Sequence, residues 1–311
     1  MSAISEVDSE RMNLEIFEAF EDDEKRLIDK AFQAFTSAVT LLLNRILPRN
    51  PVNGNREFRI YSLNQEIIKG NKIFANVKSA NGGEVNHPET ELCQKILSEV
   101  TAHSKRNFEY EVIVLNTDIV NAYCAPGGKI GITKGFLEKT EHYVKEKIGK
   151  DLMGCVDPET GKTISYEGVT KEDVIAALIG HEMIHADARH GMARLELSLT
   201  GLGSFLTVGI LSHSVGLFIP IACLCYFVVI LSPFFKLAQI RNQELEADKL
   251  GMINARKAGY NPIGALLFQE VLKGDKPRER GILLDLLQTH PPCEERQRLL
   301  FQEINAGALR V

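Results

Sequence analysis

The segment His181-Glu182-Met183-Ile184-His185 constrains this 311-residue chain more than any other, because its two imidazoles act together only on a helical backbone. Four residues along an α-helix turn the chain through about 400°, so both rings project from one face. The flanking residues supply that helix. Thr170 is a good N-cap, Asp173 stands where a capping box places its acceptor, and the apolar run from Val174 to Gly180 leads into His181. The pattern predicts one helix from about Lys171 to Met192.

Two neutral imidazoles on one face suit Zn²⁺, which in catalytic sites takes three protein ligands and keeps a fourth position for water. The spacing therefore predicts one zinc ion per chain bound by His181 and His185, with Glu182 placed to take a proton from that water. His190 does not fit as third ligand. It follows His185 without the intervening glycine and at one residue less than HExxHxxGxxH requires, so it reads as a helix-end or packing histidine. The better source is Arg241 to Asp248, where Glu244 and Asp248 share a helical face and Glu246 points roughly the opposite way. One carboxylate there completes a His₂Glu site, and the other can accept the ring N–H of a ligating histidine. Spacing alone leaves the choice between Glu244 and Asp248 open.

Around this centre the sequence reads as α+β and predominantly helical. In residues 1–50 the apolar positions Leu27, Ala31, Phe35, Ala38, Leu42 and Ile46 recur at helical steps, giving an amphipathic helical region. Turn residues from Pro48 to Asn55 then mark a boundary, which leaves 51–311 as the second domain. Within it, Phe58–Leu63, Lys72–Val77 and Tyr110–Leu115 read as β-like runs, and Pro88 as the opening of a helix reaching about Lys105. Val120–Cys124 and Lys129–Thr133 read as an edge hairpin around Pro126-Gly127-Gly128. Asp151 to Gly168 reads as an inserted loop, and a helix from about Leu237 to Ala258 stops at Gly259, with Asn261-Pro262 before the next.

Three separated signatures now stand in order: HEMIH, then Arg241 to Asp248 in the form RxxExxAD, then His290-Pro291-Pro292 with Arg296. They resemble the zinc metalloproteases that include HtpX and the CAAX prenyl endopeptidases, a group within the gluzincins. The resemblance spans roughly Val120 to Arg296. It implies a zincin-like domain with a small sheet, zinc-dependent endopeptidase activity, Glu244 as third ligand, and Asp248 as its outer neighbour. It also implies that His290 helps to stabilise the oxyanion. The segment Asn121-Ala122-Tyr123-Cys124 resembles the family's sheet edge beside the active-site cleft, where an extended polypeptide substrate can add as a strand. Arg296 reads as an anchor for the loop carrying His290. The alternative from another class is a catalytically silent, zinc-stabilised binding or adaptor protein, against which the presence of Glu182 argues.

Charge and composition narrow the partners. With 36 Lys and Arg against 41 Asp and Glu, the net charge of -5 offers no basic excess for a nucleic-acid backbone. Six scattered cysteines without CxxC spacing read as reduced thiols in a cytosol-facing protein. The acidic N-terminus, lacking an apolar core segment, does not read as a secretory signal. From Leu197 to Phe235 there is no Asp, Glu, Lys or Arg. Its second part, Val215–Phe235, is about 21 residues, close to the ~20 that cross a bilayer. Both ligand helices must lie on one side, so 197–235 is expected to form a hairpin, a re-entrant pair or a soluble helical flap. Arg189, Arg194, Lys236 and Arg241 flank the run. By the positive-inside tendency they predict a membrane-associated protein with its catalytic domain facing the cytoplasm, acting on membrane-associated or misfolded proteins. A soluble cytoplasmic protein is the alternative. Nothing in the sequence sets an oligomeric state.

Overall fold

The computed structural model describes residues 30, 36–37, 41, 47–57, 59–148, 155–157, 160–196, 198, 239–272 and 294–306. The chain divides into two compact units, Met1–Arg49 with Asn55–Arg59, and Asn50–Gly54 with Ile60–Val311. In the first, residues 30, 36, 37 and 41 are helical, and the rest of the expected amphipathic helix lies outside the described residues. Arg49 and Arg56 form an antiparallel bridge, beside which the Glu57 N–H donates to the Pro48 carbonyl at 3.0 Å.

In the second unit, helix α1 spans Leu63–Ala80 and takes in Lys72–Val77, where the sequence suggested a β-like run; of the other such run, Phe58–Leu63, residues 59–62 are neither strand nor helix. The helix wins for a local reason. Ser62 accepts from the Gln65 N–H and Gln65 reaches back to the Ser62 N–H, a complete capping box that sets the helix start. Its buried positions Glu66, Gly70, Phe74 and Val77 fall at three- and four-residue steps, a helical rather than an alternating stripe. Helix α2, Thr90–Thr101, opens just after Pro88 and closes earlier than expected.

Strands β1 (Glu111–Leu115), β2 (Ala122–Ala125) and β3 (Lys129–Thr133) make a sheet in the order β1-β3-β2. β1 runs parallel to β3, while β2 runs antiparallel to it with Ala122 opposite Ile132 and Ala125 opposite Lys129. The hairpin turn places Gly127 and Gly128 at φ 84° and 85°, a conformation that glycine adopts without strain. Side chains alternate as strand geometry requires. Val112, Val114, Ala122, Ile130 and Ile132 join the main core, whereas Ile113, Leu115, Tyr123 and Ala125 pack with Phe74 and Val77 of α1 on the other face.

Helix α3 (Lys134–Ile148) follows β3 directly. The segment read as an inserted loop contains a small antiparallel pair, β4 (Cys155–Val156) and β5 (Thr163–Ile164), whose Cys155 and Ile164 join the main core. Helix α4, Lys171–Asp187, carries the HEMIH segment and is buried continuously from Asp173 to Asp187. It packs against α2, α3, β2 and the later helix α7 (Gly264–Leu272), so it is the central element rather than an amphipathic surface helix.

Two buried carboxylates fix the ends of α4. The Asp173 side chain accepts from the Thr170 N–H at 2.8 Å, completing the capping box, and from the Asn261 N–H at 2.7 Å just before α7. Asp187 accepts from the Ser104 hydroxyl at 2.8 Å, the Lys105 N–H at 2.9 Å and the Tyr110 hydroxyl. The helix does not continue to Met192 as expected. Arg189 adopts φ 57°, and helix resumes over residues 190–196, labelled α5. Arg189 is itself buried, paired with Glu66 at 2.7 Å and Glu196 at 3.1 Å, which holds the break in place.

Helix α6 covers residues 239–257 and ends at Gly259 with φ 95°, as the sequence predicts, and α8 spans Glu294–Asn305. α4 and α6 cross backbone to backbone. A Cβ on Gly180 would lie 2.5 Å from the Gly251 carbonyl oxygen, and one on Gly251 would lie 2.6 Å from the His181 nitrogen. No larger residue fits either position without moving a helix, and the closeness of the crossing carries the carboxylates of α6 up to the histidines of α4.

Candidate metal centre

His181, His185 and Glu244 are buried and bring one donor atom each within 4.8 Å of one another, the one such group among the described residues. The His181 and His185 Nε2 atoms stand 3.1 Å apart. Glu244 Oε2 lies 3.5 Å from His181 Nε2, and Oε1 lies 3.4 Å from His185 Nε2. A tetrahedral zinc with bonds of about 2.0–2.1 Å spaces its ligand atoms roughly 3.3 Å apart, so the donor set has the size and chemistry that zinc requires.

The back of each ligand is engaged. His181 Nδ1 lies 2.9 Å from Asp248 Oδ1, which leaves Nε2 as the nitrogen that faces His185 and Glu244. Asp248 is also bound by Arg296, through Nε at 2.6 Å and Nη2 at 2.7 Å, and by Gln269 Nε2 at 2.9 Å. Burial alone would raise the Asp248 carboxyl, but Arg296, and after it His181, hold it below the usual carboxylate range. Arg296 Nη1 reaches Glu244 Oε2 at 3.2 Å as well. Arg296, read from the sequence as an anchor for the loop that carries His290, a loop outside the described residues, has this further role. It is 1% exposed and ties Glu244 to Asp248.

His185 is backed by His190, whose Nδ1 lies 2.8 Å from His185 Nδ1. His190 Nε2 in turn faces Glu246 Oε2 at 3.8 Å, so Glu246 does point away from the three donors. Arg194 sits 3.7 Å from Glu244 Oε1 and donates through Nε to Gln243 at 2.6 Å. Of the basic flanks of the apolar run, Arg189 is buried and paired with Glu66 and Glu196, and Arg194 is half-buried beside Glu244.

Glu182 is completely buried on α4, next to His181. Its negative field is felt at β2: the Cys124 thiol stands well above its usual range, pushed there first by desolvation and then by Glu182 and Asp187. β2 is, like β1, an edge strand of its sheet, with Ala122, Tyr123 and Ala125 buried and Cys124 partly exposed. Asn121 precedes it, its N–H donating to the Thr133 hydroxyl at 3.0 Å and its carbonyl accepting the Thr133 N–H at 3.1 Å. His290 lies outside the described residues, as does all but Ser198 of the run 197–235. Among the described residues no helix is long and apolar enough to cross a membrane.

Sequence reasoning missed Gln269 and the roles of Arg194 and His190. Gln269 stands in an apolar helix with no distinguishing pattern. His190 reaches His185 only because the helix breaks at Arg189, which the spacing does not foretell.

The sequence model of Peptidase family M48 matches residues 87–303, and the chain belongs to that family of zinc metalloproteases. The mitochondrial metalloendopeptidase OMA1 of Arabidopsis thaliana is 30% identical over 206 residues, covering 65% of this chain and 33% of that protein. OMA1 of Schizosaccharomyces pombe is 23% identical over 262 residues, covering 80% and 64%. OMA1 of Saccharomyces cerevisiae is 21% identical over 296 residues, covering 87% and 74%. The chain thus spans about a third of the plant relative's length and just under two thirds of the fission yeast relative's. The resemblance drawn from the motifs holds at the level of the family, while these relatives represent a different branch from HtpX and the CAAX prenyl endopeptidases.

Arg296→Met should destabilise the metal-free protein by about 3–5 kcal/mol in urea denaturation, since it leaves two buried carboxylates without their shared cation. A loss below about 1 kcal/mol would mean that Arg296 does not hold the site together.

Proposed function

We propose that this chain is a zinc-dependent endopeptidase in which His181, His185 and Glu244 hold the metal, Glu182 is the general base and Asp248 positions His181. The observation that carries this reading is the meeting of three buried donors at zinc spacing on a helix that also bears Glu182. Zinc, when bound, supplies Lewis acidity that activates water and polarises a peptide carbonyl. Glu182 takes the proton of the attacking water and returns it to the leaving amine, the exchange a carboxylate performs when it is held beside the reacting atoms. His290, by the family resemblance, donates to the developing oxyanion, a contact worth about 2.7–4 kcal/mol in other hydrolases.

The substrate is an extended polypeptide added to the edge of β2. Asn121 spends its main-chain groups on Thr133, so by strand alternation those of Ala122 and Cys124 point away from β3, toward an added strand. Ala122 is buried and Cys124 is partly exposed, which makes Cys124 the first point of main-chain recognition. Recognition through the main chain leaves sequence preference loose, in keeping with misfolded or membrane-associated proteins as substrates. The relatives support placing the chain nearer the OMA1 branch of the family.

At equal zinc content, wild type should cleave an unfolded protein and Glu182→Gln should be about 10²–10⁴-fold slower. Equal cleavage by both would remove Glu182 from the mechanism, and zinc binding without cleavage by either would favour the adaptor reading.

Membrane association through 197–235 is a second part of the proposal, supported by the absence of Asp, Glu, Lys and Arg across that run. The protein should resist carbonate extraction and dissolve in detergent. Full recovery in the salt-washed soluble fraction would contradict it.

A further inference from the structure

We infer that the helix break at Arg189 exists to bring His190 behind His185, and that His190 with Glu246 positions the second histidine of the metal site. The inference rests on the ligand set proposed above. On an uninterrupted helix, residues five apart are rotated by about 140°, and His190 would face away from His185. The break reverses this. Arg189 turns the chain through φ 57°, and the two rings then meet with centroids 4.9 Å apart and Nδ1 atoms 2.8 Å apart.

The conformation at Arg189 is one that a non-glycine residue adopts only under strain, and such strain persists where the surroundings over-determine it. They do so here. The Arg189 guanidinium is enclosed by Glu66 at 2.7 Å and Glu196 at 3.1 Å, and Glu196 also accepts the Ile60 and Tyr61 N–H groups, each at 3.1 Å. The Asn50 amide donates to the Ala188 carbonyl at 2.9 Å, fixing the other residue of the break.

Hydrogen-bond chemistry then sets the protons. A 2.8 Å contact between two ring nitrogens needs one donor and one acceptor. His185 directs Nε2 at His181 and Glu244, so a metal takes the Nε2 lone pair and the proton stays on Nδ1. His190 Nδ1 is then the acceptor, and its own proton sits on Nε2, facing the Glu246 carboxylate at 3.8 Å. Glu246 is in turn held by the Asn53 amide at 2.8 Å and 3.1 Å. His185 is thereby oriented by an imidazole whose far nitrogen has the Glu246 carboxylate at ion-pair distance, a longer contact than the one between His181 and Asp248.

The test is zinc affinity by chelator competition on full-length wild type, His190→Phe, His190→Asn and Glu246→Gln, with metal-free melting curves for each. His190→Phe keeps the volume and removes the acceptor, and should weaken zinc about 10- to 100-fold, the range for outer ligand partners. His190→Asn restores an acceptor oxygen and should recover most of that loss. Glu246→Gln, at a partly exposed position, keeps the fold and should weaken zinc several-fold. The cobalt-loaded absorption spectrum should shift in His190→Phe and return toward wild type in His190→Asn, a change that loss of packing alone would not reverse. Affinities of all three variants within twofold of wild type would overturn the inference while leaving the ligand set intact. Failure of wild type itself to bind zinc would overturn both.

Discussion

The contact between α4 and α6 at Gly180 and Gly251 sets the spacing on which the rest of the site depends. Because neither residue has a side chain, the two helices approach until one backbone meets the other. Glu244 and Asp248 then stand opposite His181 and His185, two pairs one helical turn apart on facing elements. The buried ends of α4, tied by Asp173 and Asp187, keep that helix from sliding along its axis.

Close approach of the helices collects charge in the interior. Glu182, Glu244 and Asp248 are all buried, and the interior guanidinium groups of Arg296 and Arg194 offset them only in part. Buried ions need partners, and a dication held at the three donors would add its charge to that of the arginines. The positive partners are shared: Arg296 touches both Glu244 and Asp248, and Asp248 touches His181, Gln269 and Arg296 together. A change at any one of these groups is therefore felt by the others.

Much of this was legible in the sequence where the signal is local. The Thr170 cap, the Pro126-Gly127-Gly128 hairpin and the stop at Gly259 each depend on a few neighbouring residues, and each lies where its pattern implies. The donors His181, His185 and Glu244 come together from motifs that carry their own spacing. Failures arose where distant groups decide. Lys72–Val77 has strand-forming residues, but the cap at Ser62 and packing of Phe74 and Val77 under the sheet make it helix. The continuous apolar pattern through His185 hides a break imposed by Glu66, far away in sequence. The contacts of Arg296 were not legible either, because nothing near it in sequence reveals the two carboxylates it meets.

Zinc K-edge X-ray absorption of the zinc-loaded protein reads the identity of the metal ligands directly. The expected spectrum has a shell of light atoms only at about 2.0–2.1 Å, with multiple scattering from two imidazoles. A sulfur shell near 2.3 Å, or scattering from a single imidazole, would contradict the assignment of His181, His185 and Glu244.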